Sequence, residues 1–224
     1  MSDALSQGLS QRSALRAPSL NEQAYQKLKQ AVITLSYKPG EYLNTAQVMD
    51  ELEMGRTPIN QAIHRLAAEG LLQVLPRKGV MVSPLSINDA IDMIDVRLAN
   101  EMLCIQLVCK KISVANITQL KQLHVEMCTA CEHSDHLQML ALDRQFHQTL
   151  LDIANNKWLT DVLSILHAQA QRFWASTLLD KHHMQEVVDE HNQIINALIN
   201  NQVHLAEEAV QSHILSFRQS LLNG

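Results

Sequence analysis

From about residue 20 onward, apolar side chains recur at helical spacing over most of the chain, broken once by a short stretch of strand-like alternation. Ala24, Leu28, Ala31, Val32 and Leu35 share one helical face and predict a first helix over 21–35. Lys38-Pro39-Gly40 stops it as a turn. Asn44 or Thr45 caps a second helix that runs to Leu52 and ends before Gly55, and Asn44 with Gln47 has the form of a capping box. A third helix begins near Thr57. Pro58 suits its first position, where the missing N–H has no helical partner anyway. Its buried stripe is Ile59, Ala62, Ile63, Leu66 and Ala67, and Gly70 suits the residue just past its end. Strands over 72–75 and 80–83 then flank Pro76-Arg77-Lys78-Gly79. Beyond Pro84 the period is helical almost to the last residue. It predicts six helices over roughly 87–110, 114–131, 136–154, 157–178, 184–200 and 204–222, punctuated by Asn155-Asn156, Asp180 and Asn200-Asn201.

Two short helices joined by a turn and followed by a basic-tipped hairpin form a winged helix-turn-helix, which places one helix in the major groove of DNA. The expected fold is mainly α. A winged helix-turn-helix with a small β-hairpin wing spans 21–85, and an all-α six-helix bundle spans 86–224. Residues 1–20 are polar and read as a flexible arm whose Arg12 and Arg16 are within reach of DNA if it is ordered there. The third helix turns Thr57, Asn60, Gln61 and His64 away from its core, with Arg56 at the entrance and Arg65 on a flank. Polar residues on an outer helical face can be simply solvated. Next to a tip carrying Arg77, Lys78 and Gly79 they also match a DNA-reading surface. In that reading Arg56, Arg65, Arg77 and Lys78 take phosphates, while Asn60, Gln61 and His64 take base edges.

Charge sharpens the division. The net charge of −5 argues against nucleic acid for the chain as a whole, but residues 1–85 carry nine Lys/Arg against seven Asp/Glu, and residues 86–224 carry nine against sixteen. Only the first part suits phosphates. No run of about 18 apolar residues marks a membrane span, and the N-terminus lacks the apolar core of a signal peptide, so a cytoplasmic location is expected. Cys104, Cys109, Cys128 and Cys131 fall in helical patterns and read as small buried apolar residues rather than a metal or redox motif.

The helical body carries ionisable groups on the wrong faces. Asp143 and His147, four residues apart, sit in the stripe Leu140, Leu150, Ala154; His191 sits in Val187, Ile194, Leu198; His213 sits between Ala206, Val210 and Phe217. A buried carboxylate needs a partner. Either each group is satisfied separately, or the four converge on a divalent metal, for which imidazole and carboxylate suit Zn, Ni, Mn or Fe. His133, His136, His182, His183 and His204 have the polar surroundings of helix ends and read as solvated. His124 and His167 stay open. Arg97 lies on the margin of the first body helix. It either pairs with Glu101 one turn later or faces the bundle cavity to hold a ligand carboxylate. Arg172 is a further candidate for the second part.

Both halves resemble known families. Pro39-Gly40, Arg56-Thr57-Pro58-Ile59, Ala62-Ile63, Arg65-Leu66, Glu69-Gly70-Leu71 and Gly79 resemble the DNA-binding domain of GntR-type bacterial transcription regulators. Gly55 stands where that family usually has Ser, and Asn60-Gln61 replaces its usual Arg-Glu. The neutral Asn60 cannot make the fork-like guanine contact of an arginine, so the resemblance does not imply the family's usual operator. The body resembles the FCD effector domain, and more its six-helix VanR-type group, through Asp143-Arg144-Gln145-Phe146-His147, Glu190-His191-Asn192-Gln193-Ile194 and His213. That resemblance implies a divalent metal on Asp143, His147, His191 and His213, a small carboxylate effector beside it with Arg97 directed into the pocket, and a homodimer on palindromic double-stranded DNA, most often as a repressor. A metal-dependent hydrolase or lyase with a DNA-binding appendage, or a purely structural metal, are the alternatives the residues leave open.

Overall fold

A computed structural model describes residues 18–177 and 181–223. Most of the expected N-terminal arm, with Arg12 and Arg16, and the break expected at Asp180 lie outside the described residues. The N-terminal module runs α1 (Leu20–Ile33), β1 (Tyr42–Leu43), α2 (Thr45–Glu51), α3 (Arg56–Ala68), β2 (Leu72–Leu75) and β3 (Gly79–Val82). Ser19 caps α1 by accepting from the Glu22 N–H. The helix ends at Ile33, short of the expected 35, because Leu35 takes φ +60°, outside the helical region. Asn44 caps α2 through the N–H groups of Ala46 and Gln47. The reciprocal half of a capping box is absent, since the Gln47 amide donates to Glu51 at 2.6 Å instead.

Helix α3 starts at Arg56, with Gly55 as its cap. Pro58 is therefore its third residue and not its first, still within the opening turn where no intrahelical acceptor is lost. Ile59 and Leu66 are fully buried, each stabilising the module by roughly 2 kcal/mol. The turn after α3 uses Gly70 at φ +75°, and a Cβ there would stand 3.1 Å from Nε2 of Gln169. The wing has a third strand that the periodicity could not announce. The two-residue β1 pairs antiparallel with β3, Tyr42 opposite Met81, giving the order β1-β3-β2. Leu72 pairs with Val82 and Leu75 with Gly79 across the hairpin.

The body comprises α4 (Ile87–Lys111), α5 (Val114–Glu132), α6 (His136–Ala154), α7 (Lys157–Thr177), α8 (Lys181–Ile199) and α9 (Val203–Asn223), all within a few residues of expectation. Capping side chains explain the boundaries: Ser86 opens α4, Ser113 with Asn116 forms a complete capping box on α5, and Asp135 opens α6. Asn155 closes α6 in the left-handed region.

Two hydrophobic clusters form, one in each part, and α7 belongs to both. Leu163, Ala170 and Trp174 pack into the body, while Ala168 lies in the core of the N-terminal module. Nε2 of Gln169 donates to the Glu69 carbonyl at 2.8 Å, the Arg172 guanidinium donates to the Ser83 carbonyl, and that of Arg144 to the Gln30 side chain.

Candidate metal centre and nucleic-acid interface

Helix α6 brings Asp143 and His147 to one face, α8 brings His191 and α9 brings His213. Their candidate ligand atoms lie within 4.8 Å of one another, and all four residues are buried. Local hydrogen bonds orient two of the rings. Nδ1 of His191 donates to the Val187 carbonyl at 2.7 Å, an acceptor only, so in the neutral ring Nε2 carries the lone pair. That Nε2 has no hydrogen-bond partner and stands 3.4 Å from an Asp143 carboxylate oxygen. Nδ1 of His213 donates to Glu190 at 2.7 Å, leaving its own Nε2 free to act as a ligand. Nε2 of His147 is 3.5 Å from the same Asp143 oxygen. Lone pairs aimed at a carboxylate repel it unless a cation lies between them, so the donor set fits a divalent ion. Phe146 fills the space behind, edge-on to His191 at 4.4 Å.

Burial pushes the Asp143 carboxyl up, but positive charge on the facing His147 and His191 rings outweighs it and holds the carboxyl well below the usual range, so the carboxylate form is the one favoured by a cation at this position. Burial pulls His213 down to about 4, helped by His191 and His147 and opposed by Glu190, so its imidazole is neutral at physiological pH. Around the cluster, Glu101 accepts from Nε2 of His167 at 2.6 Å and from Nε of Arg97 at 3.2 Å. Burial pushes the Glu101 carboxyl up, yet His167, Arg97 and His147 together hold it far below its ordinary value. Arg97, Asp143, His147, His167 and His213 line a cavity of about 510 Å³, counting the space at its mouth. Arg97 pairs with Glu101 and also lines the cavity.

Two expectations need correction. Arg172 does not reach this cavity; its guanidinium turns to the opposite side of α7, onto the Ser83 carbonyl and the Gln169 side chain. His183 is not a solvated end residue. Because α8 begins at Lys181, His183 falls on the inward face one turn before Val187, with its side chain only 12% exposed, and it lines the cavity.

In the N-terminal module, Arg56, Thr57, Asn60, Gln61 and His64 are exposed along α3, and Arg77, Lys78 and Gly79 are exposed at the wing tip. Arg77 takes φ +63°, an uncommon conformation for a residue with a side chain, which a β-turn closed by the Lys78 N–H to the Leu75 carbonyl imposes. Arg65, also exposed, is tied to partners within the module. It pairs with Glu22 at 2.8 Å and Glu69 at 3.5 Å and lies over the Tyr25 ring at 3.4 Å, so it is engaged within the module rather than held out toward phosphate.

Comparison with known proteins resolves the class. The FCD domain model matches residues 92–216, more than half of the chain, and the model described as bacterial regulatory proteins, gntR family, matches residues 20–82. The chain belongs to the gntR family and carries an FCD domain. It is 24% identical over 192 residues to an uncharacterized HTH-type transcriptional regulator YdhC of Bacillus subtilis, covering 85% of this chain and 86% of that one. It is 24% identical over 202 residues to the HTH-type transcriptional repressor RspR of Escherichia coli, covering 90% and 89%. Its fold is similar to that of E. coli McbR/YncC at a TM-score of 0.84 with 18% identity, over 92% of this chain and 99% of that one. The GntR assignment makes this chain a DNA-binding transcription regulator. Among the described residues no helix is long and apolar enough to cross a membrane.

Some residues of the FCD cavity escaped sequence reasoning. Glu190 sits next to His191 in the sequence, which is the signal for a carboxylate behind the histidine cluster. His167 and Gln171 fall in the stripe of Leu163 and Trp174, polar residues four apart in an apolar face. Nε2 of Gln171 donates to Asp143 at 3.2 Å. Glu69, in the Glu-Gly-Leu step of the GntR module, accepts from Tyr25 at 2.7 Å and from Lys29 at 2.9 Å, and it anchors the turn into the wing.

Proposed function

We propose that this regulator holds a divalent metal on Asp143, His147, His191 and His213 and senses a small organic acid bound beside it. The single observation that carries the reading is the pair of pre-oriented imidazoles: Nδ1 of His191 is committed to Val187 while its Nε2 stands 3.4 Å from Asp143, and Nδ1 of His213 is committed to Glu190, with the candidate ligand atoms of all four residues within 4.8 Å of one another. The donor set suits Zn, Ni, Mn or Fe. Such an ion supplies positive charge that attracts a carboxylate, and Arg97, already facing the cavity, provides a second anchor. The neutral Gln171 amide fixes Asp143 from behind.

In this reading the protein acts in the cytoplasm as a homodimer on palindromic operator DNA, as a repressor that the acid releases, and the count of six body helices, α4–α9, supports reading it as one of the VanR-type group. Arg56, Arg77 and Lys78 contact phosphates, Gly79 lets the wing tip approach the backbone closely, and Thr57, Asn60, Gln61 and His64 face the groove. The acid changes DNA affinity only through a preference for one arrangement of the two parts, and α7, which lines the cavity and enters the core of the N-terminal module, is the element both share. Metal content by mass spectrometry tests the site: His147→Ala should lose tight binding, and full retention refutes the assignment. Calorimetric titration of the metal-loaded protein with a panel of carboxylic acids tests the sensor; if none binds, the sensing role fails even where the metal stays.

A further inference from the structure

Among the described residues Arg172 is the largest side chain buried to this degree, 1% exposed, and its hydrogen-bond partners are neutral. Nη2 donates to the Ser83 carbonyl, Nη1 to Oε1 of Gln169 at 3.3 Å, and Nε has no hydrogen-bond partner. Among the described residues no carboxylate forms an ion pair with it. Burial alone pulls its guanidinium down to about 10, with no acid opposing the fall. Two neutral acceptors do not replace the hydration of a full charge, so an unpaired buried guanidinium is costly. A latch between α7 and the chain at Ser83 needs only a neutral donor, and does not explain an arginine.

Arg172 lines a cleft of about 650 Å³, counting the open space at its mouth, between the winged helix and the body, together with Gly70, Gln73, Ser83, Ser86 and Asp89. The 25-residue α4 begins at the wall of this cleft, since Ser86 is its cap and Asp89 lies in its first turn. The positive end of that helix and the unpaired guanidinium therefore bear on one space. Asp89, the acid on the wall, is exposed and forms no ion pair with Arg172.

We propose that this interdomain cleft binds a small oxyanion, a carboxylate or a phosphate, with Arg172 as its charged partner. The site lies on the opposite side of α7 from the metal cavity and is independent of it. An anion held there ties α7 to the linker that leads from the wing into α4, so it bears on the relative placement of the two parts.

The test is calorimetric titration of the full chain with inorganic phosphate and, separately, with acetate. One anion should bind once per chain, and the tighter of the two names the class. Arg172→Met should weaken binding at least about tenfold, as expected for loss of a charged hydrogen-bond donor. Arg97→Gln, which alters the metal cavity, should leave it unchanged. Two exposed cleft variants give opposite signs without disturbing the latch: Gln73→Glu should weaken binding about fivefold and Asp89→Asn tighten it by a similar factor. If Arg172→Met does not fold, that pair decides. Absence of binding by both anions up to about 10 mM, or affinity unmoved in the cleft variants, overturns the proposal. Loss confined to Arg97→Gln also overturns it, placing the anion in the metal cavity and leaving the proposed function intact.

Discussion

Glu190 is the residue through which the proposed metal assignment is most open to attack, because it touches a proposed ligand, His213, without being one itself. Its carboxylate holds Nδ1 of His213 at 2.7 Å, and burial together with the pair it forms leaves His213 7% exposed. Replacing it by Ala removes the acceptor that fixes the ring. Loss of such an outer partner weakens metal binding about 10- to 100-fold, or about 1.4–2.7 kcal/mol. The same change strands a buried N–H, which costs the metal-free fold about 1–3 kcal/mol. Competition between the protein and a fluorescent zinc chelator near neutral pH reads the first quantity, and urea unfolding of the metal-free protein reads the second. Glu190→Gln should recover most of the affinity, since an amide oxygen still accepts from Nδ1 but carries no charge. Unchanged zinc affinity in Glu190→Ala would show that the ring does not need this orientation, and His213 would lose its place among the ligands.

Other outcomes follow from the same geometry. Arg56→Ala combined with Arg77→Ala should weaken binding to every DNA sequence and reduce the slope of log affinity against log salt by about 2, at about 0.9 per phosphate contact; an unaltered slope removes both from the interface. Arg65→Ala should leave that slope alone and lower the stability of the N-terminal module by about 1 kcal/mol through the lost contact with the Tyr25 ring; the opposite pattern in DNA titrations and thermal melts would restore it as a phosphate ligand. The metal-free protein should lose stability on acidification. His213 sits at about 4 when folded, below its ordinary 6.5, so between those values the unfolded chain takes up the proton first. Folding is unaffected above that window and weakens through it by at most about 3 kcal/mol. Asp143, held low in the fold, acts in the same sense only below the window, from the ordinary carboxylate value downward. Urea midpoints that stay level from about pH 7 to about pH 4 would contradict this.

Much of the architecture is legible along the chain because helical periodicity and capping are local. The body helices follow from apolar spacing, and Ser86, Ser113 and Asp135 mark their starts by satisfying N–H groups a few residues away. The inward position of Asp143, His147, His191 and His213 follows from the same spacing, since each shares a stripe with buried leucines, isoleucines or valines. Features whose partners lie far away in sequence are not legible. The strand β1 exists only because β3 offers it backbone groups some 40 residues later. Arg65 carries the composition of a phosphate ligand, yet Glu22 and Tyr25 claim it from another helix.

The elements, their apolar faces and the kinds of side chain that must be buried are thus set along the chain, because those depend on spacing within one helix or one turn. Tertiary structure alone decided which faces meet. It turned Arg172 away from the cavity and toward the linker, brought His183 and His167 into the cavity wall, and set α7 between two cores. The physical reason is that a helix fixes the angle between its own side chains, whereas the direction each one finally faces depends on how whole helices pack.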